Sequence, residues 1–225
     1  MTHSLHRIGD RRFMDEDFVW LAYQAKGIND DDFPRKAREV LEAAEEAGCT
    51  NWGDVKAGCV LDLDPAQIKA GLGQTSRIRG VFTSRQQVVS FLRLLREKDV
   101  GLSVVVSGLL DEVLAACDEA GVKPHTINFS LGVWGRKELL PSPQVLAITT
   151  MCGHHMIASR LVEKTIEDVR RGKVKPATAA RRLARMCPCG IFNHERAARL
   201  LEAFAAEAEA PQPAAGTGAK GAGAD

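Results

Sequence analysis

Apolar residues recur at intervals of three and four along much of the chain, a spacing that places them on one face of a helix. A glycine follows several of these segments, which is typical of a helix end. The pattern predicts helices over 15–26, 34–47, 84–98, 109–120, 156–171, 176–186 and from Asn193 to about residue 208, and either a helix or an extended lead-in over 143–150. We therefore expect a protein that is rich in helix.

Residues 100–107 are dominated by β-branched apolar residues, which is typical of a buried strand. Helix 109–120 follows, and the next apolar stretch predicts a second strand over 125–131. A strand, helix and strand of this length form a βαβ unit, in which the two strands are parallel. We expect an α/β fold with a small, mainly parallel sheet, flanked by an N-terminal helical segment and a C-terminal helical metal-binding hairpin.

The predicted elements divide the chain into four segments. These are an N-terminal helical segment at 1–58, a small α/β unit at 59–140, a C-terminal helical module at 141–208 and a tail at 209–225. The tail is rich in Pro, Ala and Gly, a composition that buries too little apolar surface to fold. The 225 residues are also few enough for 1–208 to form one compact domain.

Two short motifs hold three of the six cysteines and two of the six histidines. They are Cys152-Gly-His154-His155 and Cys187-Pro-Cys189-Gly. The two predicted helices between the motifs should pack antiparallel, because their connection is short. In an extended segment, residues i and i+2 point to the same side, and the proline stiffens the second motif. We therefore expect Cys152, Cys187 and Cys189 to converge.

Thiolate and imidazole groups are the ligands that zinc and iron prefer. We expect the three cysteines to hold a [4Fe–4S] cluster, with its fourth iron open or bound by His154. His155 is the alternative ligand, and because adjacent helical residues point about 100° apart, only one histidine should face the metal. Zinc bound by three cysteines and one histidine is the second interpretation. The Cys-x-Cys spacing is typical of neither zinc fingers nor ferredoxins, so three buried structural thiols are a further alternative.

The other three cysteines lack a metal-binding pattern. Cys49 and Cys59 are ten residues apart, and Cys117 lies on the apolar face of its predicted helix. We expect all three in the core, although Cys49 or Cys59 could supply a fourth ligand to the metal. A disulfide between Cys187 and Cys189 would be strained, which disfavours a thiol redox pair.

Small polar residues and glycines follow both predicted strands. Ser107 and Gly108 follow the first strand, and Ser130 and Gly132 end the second. Ligands collect at the carboxyl ends of parallel strands, and a helix start exposes N–H groups to an anion. These four residues predict a site for a small polar or anionic molecule, with two tight turns as the alternative.

The charge balance gives no argument for nucleic-acid binding. The chain has 30 basic and 29 acidic residues, so no global positive field exists. Residues 170–185 carry seven Lys or Arg and no acid, which is typical of a solvated helical face but could also meet an acidic protein partner. The N-terminus has no apolar signal core, and no apolar run is long enough to span a bilayer. We expect a cytoplasmic protein, whose cysteines stay reduced.

These features predict an intracellular metalloprotein with an iron–sulfur cluster that performs redox or Lewis-acid chemistry on a small ligand. The alternative is a zinc-stabilised binding or regulatory module without catalytic activity, in which the basic hairpin at 170–185 contacts a partner.

Overall fold

A five-stranded antiparallel sheet lies at the centre of the computed structural model, which describes residues 5–207. The strands have the order β3-β2-β4-β1-β5. They are β1 (Phe18–Tyr23), β2 (Asn51–Asp54), β3 (Gly58–Cys59), β4 (Ile78–Phe82) and β5 (Ser103–Ser107). Every neighbouring pair is antiparallel, so the prediction of a mainly parallel sheet is wrong.

The helices surround this sheet. They are α1 (Arg11–Met14), α2 (Phe33–Glu46), α3 (Pro65–Ala70), α4 (Arg85–Lys98), α5 (Leu110–Ala120), α6 (Pro143–Thr149), α7 (Ser159–Arg170), α8 (Pro176–Ala184) and α9 (His194–Glu207), with a short 3-10 helix at Lys137–Leu139. Local capping defines several starts. The Ser84 side chain accepts a hydrogen bond from the backbone N–H of Gln87, and the Gln87 side chain accepts one from the backbone N–H of Ser84. These two bonds fix the start of α4.

The connections explain why parallel strands are not neighbours. Helix α2 joins β1 to β2, and α4 joins β4 to β5, but each crossover skips one position in the sheet. Strand β4 lies between β1 and β2, and β1 lies between β4 and β5. The result is the split βαβ topology of the ferredoxin-like fold. Since this topology hosts many unrelated functions, it carries no functional argument.

Two further sequence predictions are wrong at this level. The helix predicted over 15–26 is strand β1, whose residues are buried on both faces of the sheet. A strand covered on both sides is continuously apolar, so it also satisfies helical spacing. The strand predicted over 125–131 is absent, and residues 123–140 are exposed throughout. The βαβ unit therefore lacks its second strand.

The sheet separates two cores. Alternate residues of β1 point to opposite faces. Phe18 and Trp20 join helices α2, α4 and α5 on what we call the first face. Val19 and Leu21 join α6, α7, α8 and α9 on the second face. The C-terminal helices thus cover the second face, and both cysteine motifs lie between these helices and the sheet.

Two predictions concern the chain ends and the membrane. The tail predicted to be disordered, 209–225, lies outside the described residues. Within residues 5–207, no helix combines the length and the apolar character needed to cross a bilayer.

Candidate functional site

The structure brings Cys152, Cys187 and Cys189 together as one buried group, which we call the cysteine trio. The Sγ atoms of Cys187 and Cys189 are 3.6 Å apart. Cys187 also forms a side-chain hydrogen bond with Cys152. Cys187 is therefore the central member, and the trio joins two segments that are 35 residues apart in the chain.

Turns at the ends of two helices position the trio. After α6, the backbone N–H of Cys152 donates to the carbonyl of Thr149, and after α8 that of Cys187 donates to Ala184. Gly190 has a φ of +77°, and a Cβ on it would lie 2.4 Å from the carbonyl carbon of Trp52. Only glycine lets the second cysteine loop lie directly against the backbone of β2.

Across the sheet, the row of residues beneath this loop is unusual in composition. Cys59 pairs with Gly53, Gly53 pairs with Arg79, and Arg79 pairs with Leu21. Since paired residues point to the same face, all four lie on the second face. A Cβ on Gly53 would lie 2.2 Å from the carbonyl oxygen of Gly58, so glycine here allows the close approach of β3, and Arg79 places a charged group under the trio.

A buried ion-pair network holds both cysteine loops. Arg7 donates to the carbonyls of Met151 and Ile191, which flank the two cysteine motifs, and it pairs with Asp17. Arg196 donates to the other carboxylate oxygen of Asp17 at 2.6 Å. The Asp17 and Arg196 side chains are fully buried. One carboxylate thus connects the N-terminal segment, strand β1 and the helix that follows the second motif.

Asp17 stays ionised in this network. Burial alone would raise its pKa, but the charges of Arg7 and Arg196, with hydrogen bonds from Arg7 and Asn193, lower the pKa below its ordinary value. A buried carboxylate is tolerated only when it is paired and hydrogen-bonded in this way. The network therefore has the chemistry of a rigid support for the two loops.

The cysteine trio favours thiolate over thiol. Hydrogen bonding from the Cys187 thiol lowers the pKa of Cys189 to about 5 and that of Cys152 to about 6, against burial, while the same bonds raise the pKa of Cys187. A thiol has one hydrogen, so Cys187 can donate a hydrogen bond to only one neighbouring sulfur at a time. The trio therefore favours a thiolate at Cys189 or Cys152 and keeps the Cys187 thiol protonated.

His154 connects the trio to a positive side chain. Its Nδ1 atom is 3.8 Å from Sγ of Cys189, and its Nε2 atom is 3.4 Å from Nη1 of Arg79. An arginine can only donate, so Nε2 must accept, which leaves the proton of a neutral imidazole on Nδ1. That proton faces the Cys189 sulfur. Arg79 therefore sets the tautomer in which His154 can donate a proton toward the trio.

The alternative histidine occupies a different environment. His155 is exposed and has a left-handed backbone, with a φ of +53°. Its backbone N–H donates to the carbonyl of Cys152, which closes a turn. The structure thus places the His154 ring, and not the turn residue His155, beside Cys189.

An open cleft of about 570 Å³ begins at His154. Arg79 lies over the Tyr23 ring, 5.6 Å from its centroid, and both side chains line the cleft. The lining residues carry positive or neutral side chains: Tyr23, Gln24, Lys26, Gln74, Thr75, Ser76, Arg77, Arg79 and His154. We call this space the basic cleft.

Burial raises the thiol pKa of each of the three remaining cysteines. Cys49 lies on the first face, where its sulfur accepts from Trp20 Nε1 at 3.3 Å, and burial raises its pKa to about 12. Burial also raises the pKa of Cys117. Cys59 is closer to the site. Burial raises its pKa, and the nearby Asp62 and Cys189 charges add to that shift.

The four residues predicted to bind a small ligand do not share the geometry on which that prediction rested. Ser107 is buried at the end of β5, and a Cβ on Gly108 would lie 2.9 Å from the Phe18 ring. Ser130 and Gly132 lie in the exposed segment that is not a strand. Because no parallel strand ends meet here, the site at Ser107, Gly108, Ser130 and Gly132 stays a prediction without that support.

The basic hairpin at 170–185 is partly neutralised by local acids. Arg170 and Arg171 both pair with Glu167, and Lys173 pairs with Asp168. Exposed pairs of this kind are typical of a solvated helical face.

The arrangement of the cysteine trio differs from a complete metal coordination sphere. Within the described ranges, no group of three or more His, Cys, Asp or Glu side chains is already arranged around one ion position. The donor set nevertheless consists of soft thiolates beside an imidazole, which is the set that zinc and iron prefer.

Sequence reasoning missed the charged residues around the site. Arg7 and Asp17 lie in what was expected to be a helical N-terminal segment, and Arg79 in an expected loop. Arg7 is 144 residues from Met151 in the chain, so no local spacing could reveal the contact. The one available signal was charge: Asp17 directly precedes an apolar run.

Comparison with protein families, curated proteins and solved structures finds no significant match to this chain.

Proposed function

We propose that this protein is a metalloprotein in which the cysteine trio binds a metal centre that acts on a small molecule in the basic cleft. The observation that carries the proposal is the convergence of three buried sulfurs with lowered thiol pKa values at Cys152 and Cys189. Thiolate is the form that binds metals. A fold that lowers thiol pKa values in its interior makes the metal-binding thiolate form easier to reach.

The spacing of the sulfurs favours a single ion. Two thiolates on one tetrahedral zinc, each about 2.3 Å from the ion, lie ~3.8 Å apart. The Sγ atoms of Cys187 and Cys189 are 3.6 Å apart. In a [4Fe–4S] cluster each cysteine binds a different iron, so the sulfurs lie farther apart. Zinc, or another single thiophilic ion, is therefore the first candidate.

An iron–sulfur cluster is the second candidate, because such clusters are held mainly by cysteine thiolates. Three cysteines would leave one iron of a cubane without a thiolate, and the His154 ring is the nearest imidazole to Cys189. Binding a cubane requires Cys187 and Cys189 to separate. The turn at Cys187–Gly190, in which the backbone N–H of Gly190 donates to the carbonyl of Cys187, would have to open to supply that movement.

The position of His154 supports a reactive centre over a purely structural one. Structural zinc sites are closed by four protein ligands, whereas catalytic sites keep one position for water or substrate. His154 borders the basic cleft and carries its proton on the side of Cys189. In this proposal Cys152, Cys187 and Cys189 would hold a metal that would supply Lewis-acid chemistry, and His154 would either complete the coordination or donate a proton.

Metal analysis of protein purified without oxygen tests the proposal. We expect one equivalent of zinc in a colourless protein for the single-ion form, or iron with acid-labile sulfide and visible absorption for the cluster. Cys187→Ser should lose most of the metal, and Cys49→Ser is the matched control, because Cys49 is half-buried on the opposite face. Wild-type protein that binds no transition metal after anaerobic reconstitution would refute the proposal.

A further inference from the structure

The charged side chains that line the basic cleft are all positive. Lys26, Arg77 and Arg79 line it together with His154. Among the described residues that line this space, none is acidic. A volume of about 570 Å³ is within the range of small-molecule sites.

Arg79 is the central group of the cleft. Its residue is only 3 % exposed, yet its guanidinium reaches both the Tyr23 ring and Nε2 of His154. Strand alternation puts Arg79 on the second face, one residue away from the buried Ile78 and Gly80. Arg79 therefore places a positive charge at the inner wall of the cleft, beside His154.

The buried carboxylate of Asp54 supports the wall of the cleft. Asp54 accepts hydrogen bonds from Oγ of Ser76 at 3.0 Å and from the backbone N–H of Arg77 at 2.7 Å. These bonds fix the loop that carries Arg77 and leave its guanidinium side chain to the cleft. Asp54 thus acts as a support for the positive wall.

We propose that the basic cleft binds a small organic anion, a molecule with a phosphate or carboxylate group held by Arg77 and Arg79. Arginine recognises both groups through paired N–H donors. The rest of the molecule then lies toward His154 and, beyond it, Cys189. The contact with a metal rests on the proposed function, whereas the anion site rests on the cleft alone.

Titration calorimetry with two probes, inorganic phosphate and succinate, tests the anion site. We expect one of them to bind, which distinguishes the phosphate from the carboxylate. Arg77→Gln and Arg79→Gln should each weaken binding about 10-fold or more, since a bond to a charged group is lost. Arg160→Gln is the control, because it removes the same charge from an exposed position on α7. Arg77 is exposed, so its variant reports binding even where Arg79→Gln fails to fold.

Two results would overturn the anion site. One is the absence of heat from either probe up to about 10 mM. The other is binding that Arg77→Gln and Arg79→Gln leave unchanged.

Repeating the titration on metal-free protein separates this inference from the proposed function. Binding that persists in the Cys152→Ser, Cys187→Ser, Cys189→Ser triple variant supports the anion site even where no metal is found. In cobalt-substituted protein, the bound probe should shift the thiolate-to-cobalt absorption bands. Unchanged bands on saturation would refute the metal contact and leave the anion site intact.

Discussion

The two faces of the sheet give opposite chemistry to two cysteines, the half-buried Cys49 and the buried Cys189. On the first face, Cys49 contacts the carbonyls of Asn51 and Val81 and the Trp20 ring nitrogen, and burial raises its pKa to about 12. On the second face, hydrogen bonding from Cys187 lowers the pKa of Cys189 to about 5 despite burial, with the Arg79 charge in support. The comparison teaches that donors and positive groups around a sulfur can outweigh burial in setting the pKa of a thiol.

The largest expected effect is the loss of bound metal when a cysteine of the trio is replaced. Cys152→Ser or Cys187→Ser should lose most of the bound metal, since a thiolate ligand is removed from a three-cysteine site. Cys49→Ser and Cys117→Ser should keep it. Metal content measured after anaerobic reconstitution decides the point, and equal metal in all four variants would contradict the assigned site.

A second effect tests whether the second face depends on its ion-pair network. Asp17→Ala leaves Arg7 and Arg196 buried without their carboxylate partner. Removing one member of a buried pair costs about 3–5 kcal/mol of unfolding free energy. Urea denaturation of the variant measures this loss.

The control for the network is Asp111→Ala, because Asp111 pairs with Arg11 in an exposed salt bridge. It should leave the urea midpoint nearly unchanged. A similar, small shift in both variants would show that the network does not support the cysteine loops.

The pH dependence of stability sharpens the comparison of the two thiols. In metal-free protein, the lowered pKa of Cys189 contributes stability that is complete above the unfolded value, about 8.5, and is lost as pH falls through about 5. The raised pKa of Cys49 has the opposite sign, with its contribution lost only as pH rises toward about 12. The destabilisation caused by Cys189→Ser should therefore shrink between about pH 8 and pH 5, while that of Cys49→Ser stays constant. Parallel urea titrations at both pH values measure this, and a constant Cys189→Ser effect would contradict the thiolate assignment.

The smallest effect concerns the two histidines. His154→Ala should weaken metal binding by roughly 10–100-fold, the usual effect of losing a group that orients or completes a site. His155→Ala should change it little, because the ring beside the Cys189 sulfur is that of His154. Competition titration with a chelator measures both affinities. A larger loss from His155→Ala would reverse the assignment.

The helical half of the fold was predictable because its signals are local. Pro176 starts α8 and Gly172 ends the preceding helix with a φ of +67°. Asn193 accepts from the backbone N–H of Arg196 at the start of α9. A hairpin of two such helices returns the chain to its origin, so the convergence of the cysteines could be expected from spacing alone.

The sheet was not predictable for equally physical reasons. Strand β1 is covered on both faces, so it lacks the alternation that marks a strand. Strand β4 contains Gly80, where a Cβ would lie 2.5 Å from the Trp20 ring nitrogen, and a charged Arg79. Both residues are atypical of strands and are explained only by contacts with distant parts of the chain.

X-ray absorption at the metal edge of the reconstituted protein tests the central claim most directly, because it counts the sulfur atoms bound to the metal. The account predicts three sulfur ligands at about 2.3 Å for zinc, the same number in Cys49→Ser, and only two around the small amount of metal that Cys187→Ser retains. A metal surrounded only by oxygen and nitrogen atoms, or a sulfur count that does not change in Cys187→Ser, would contradict it.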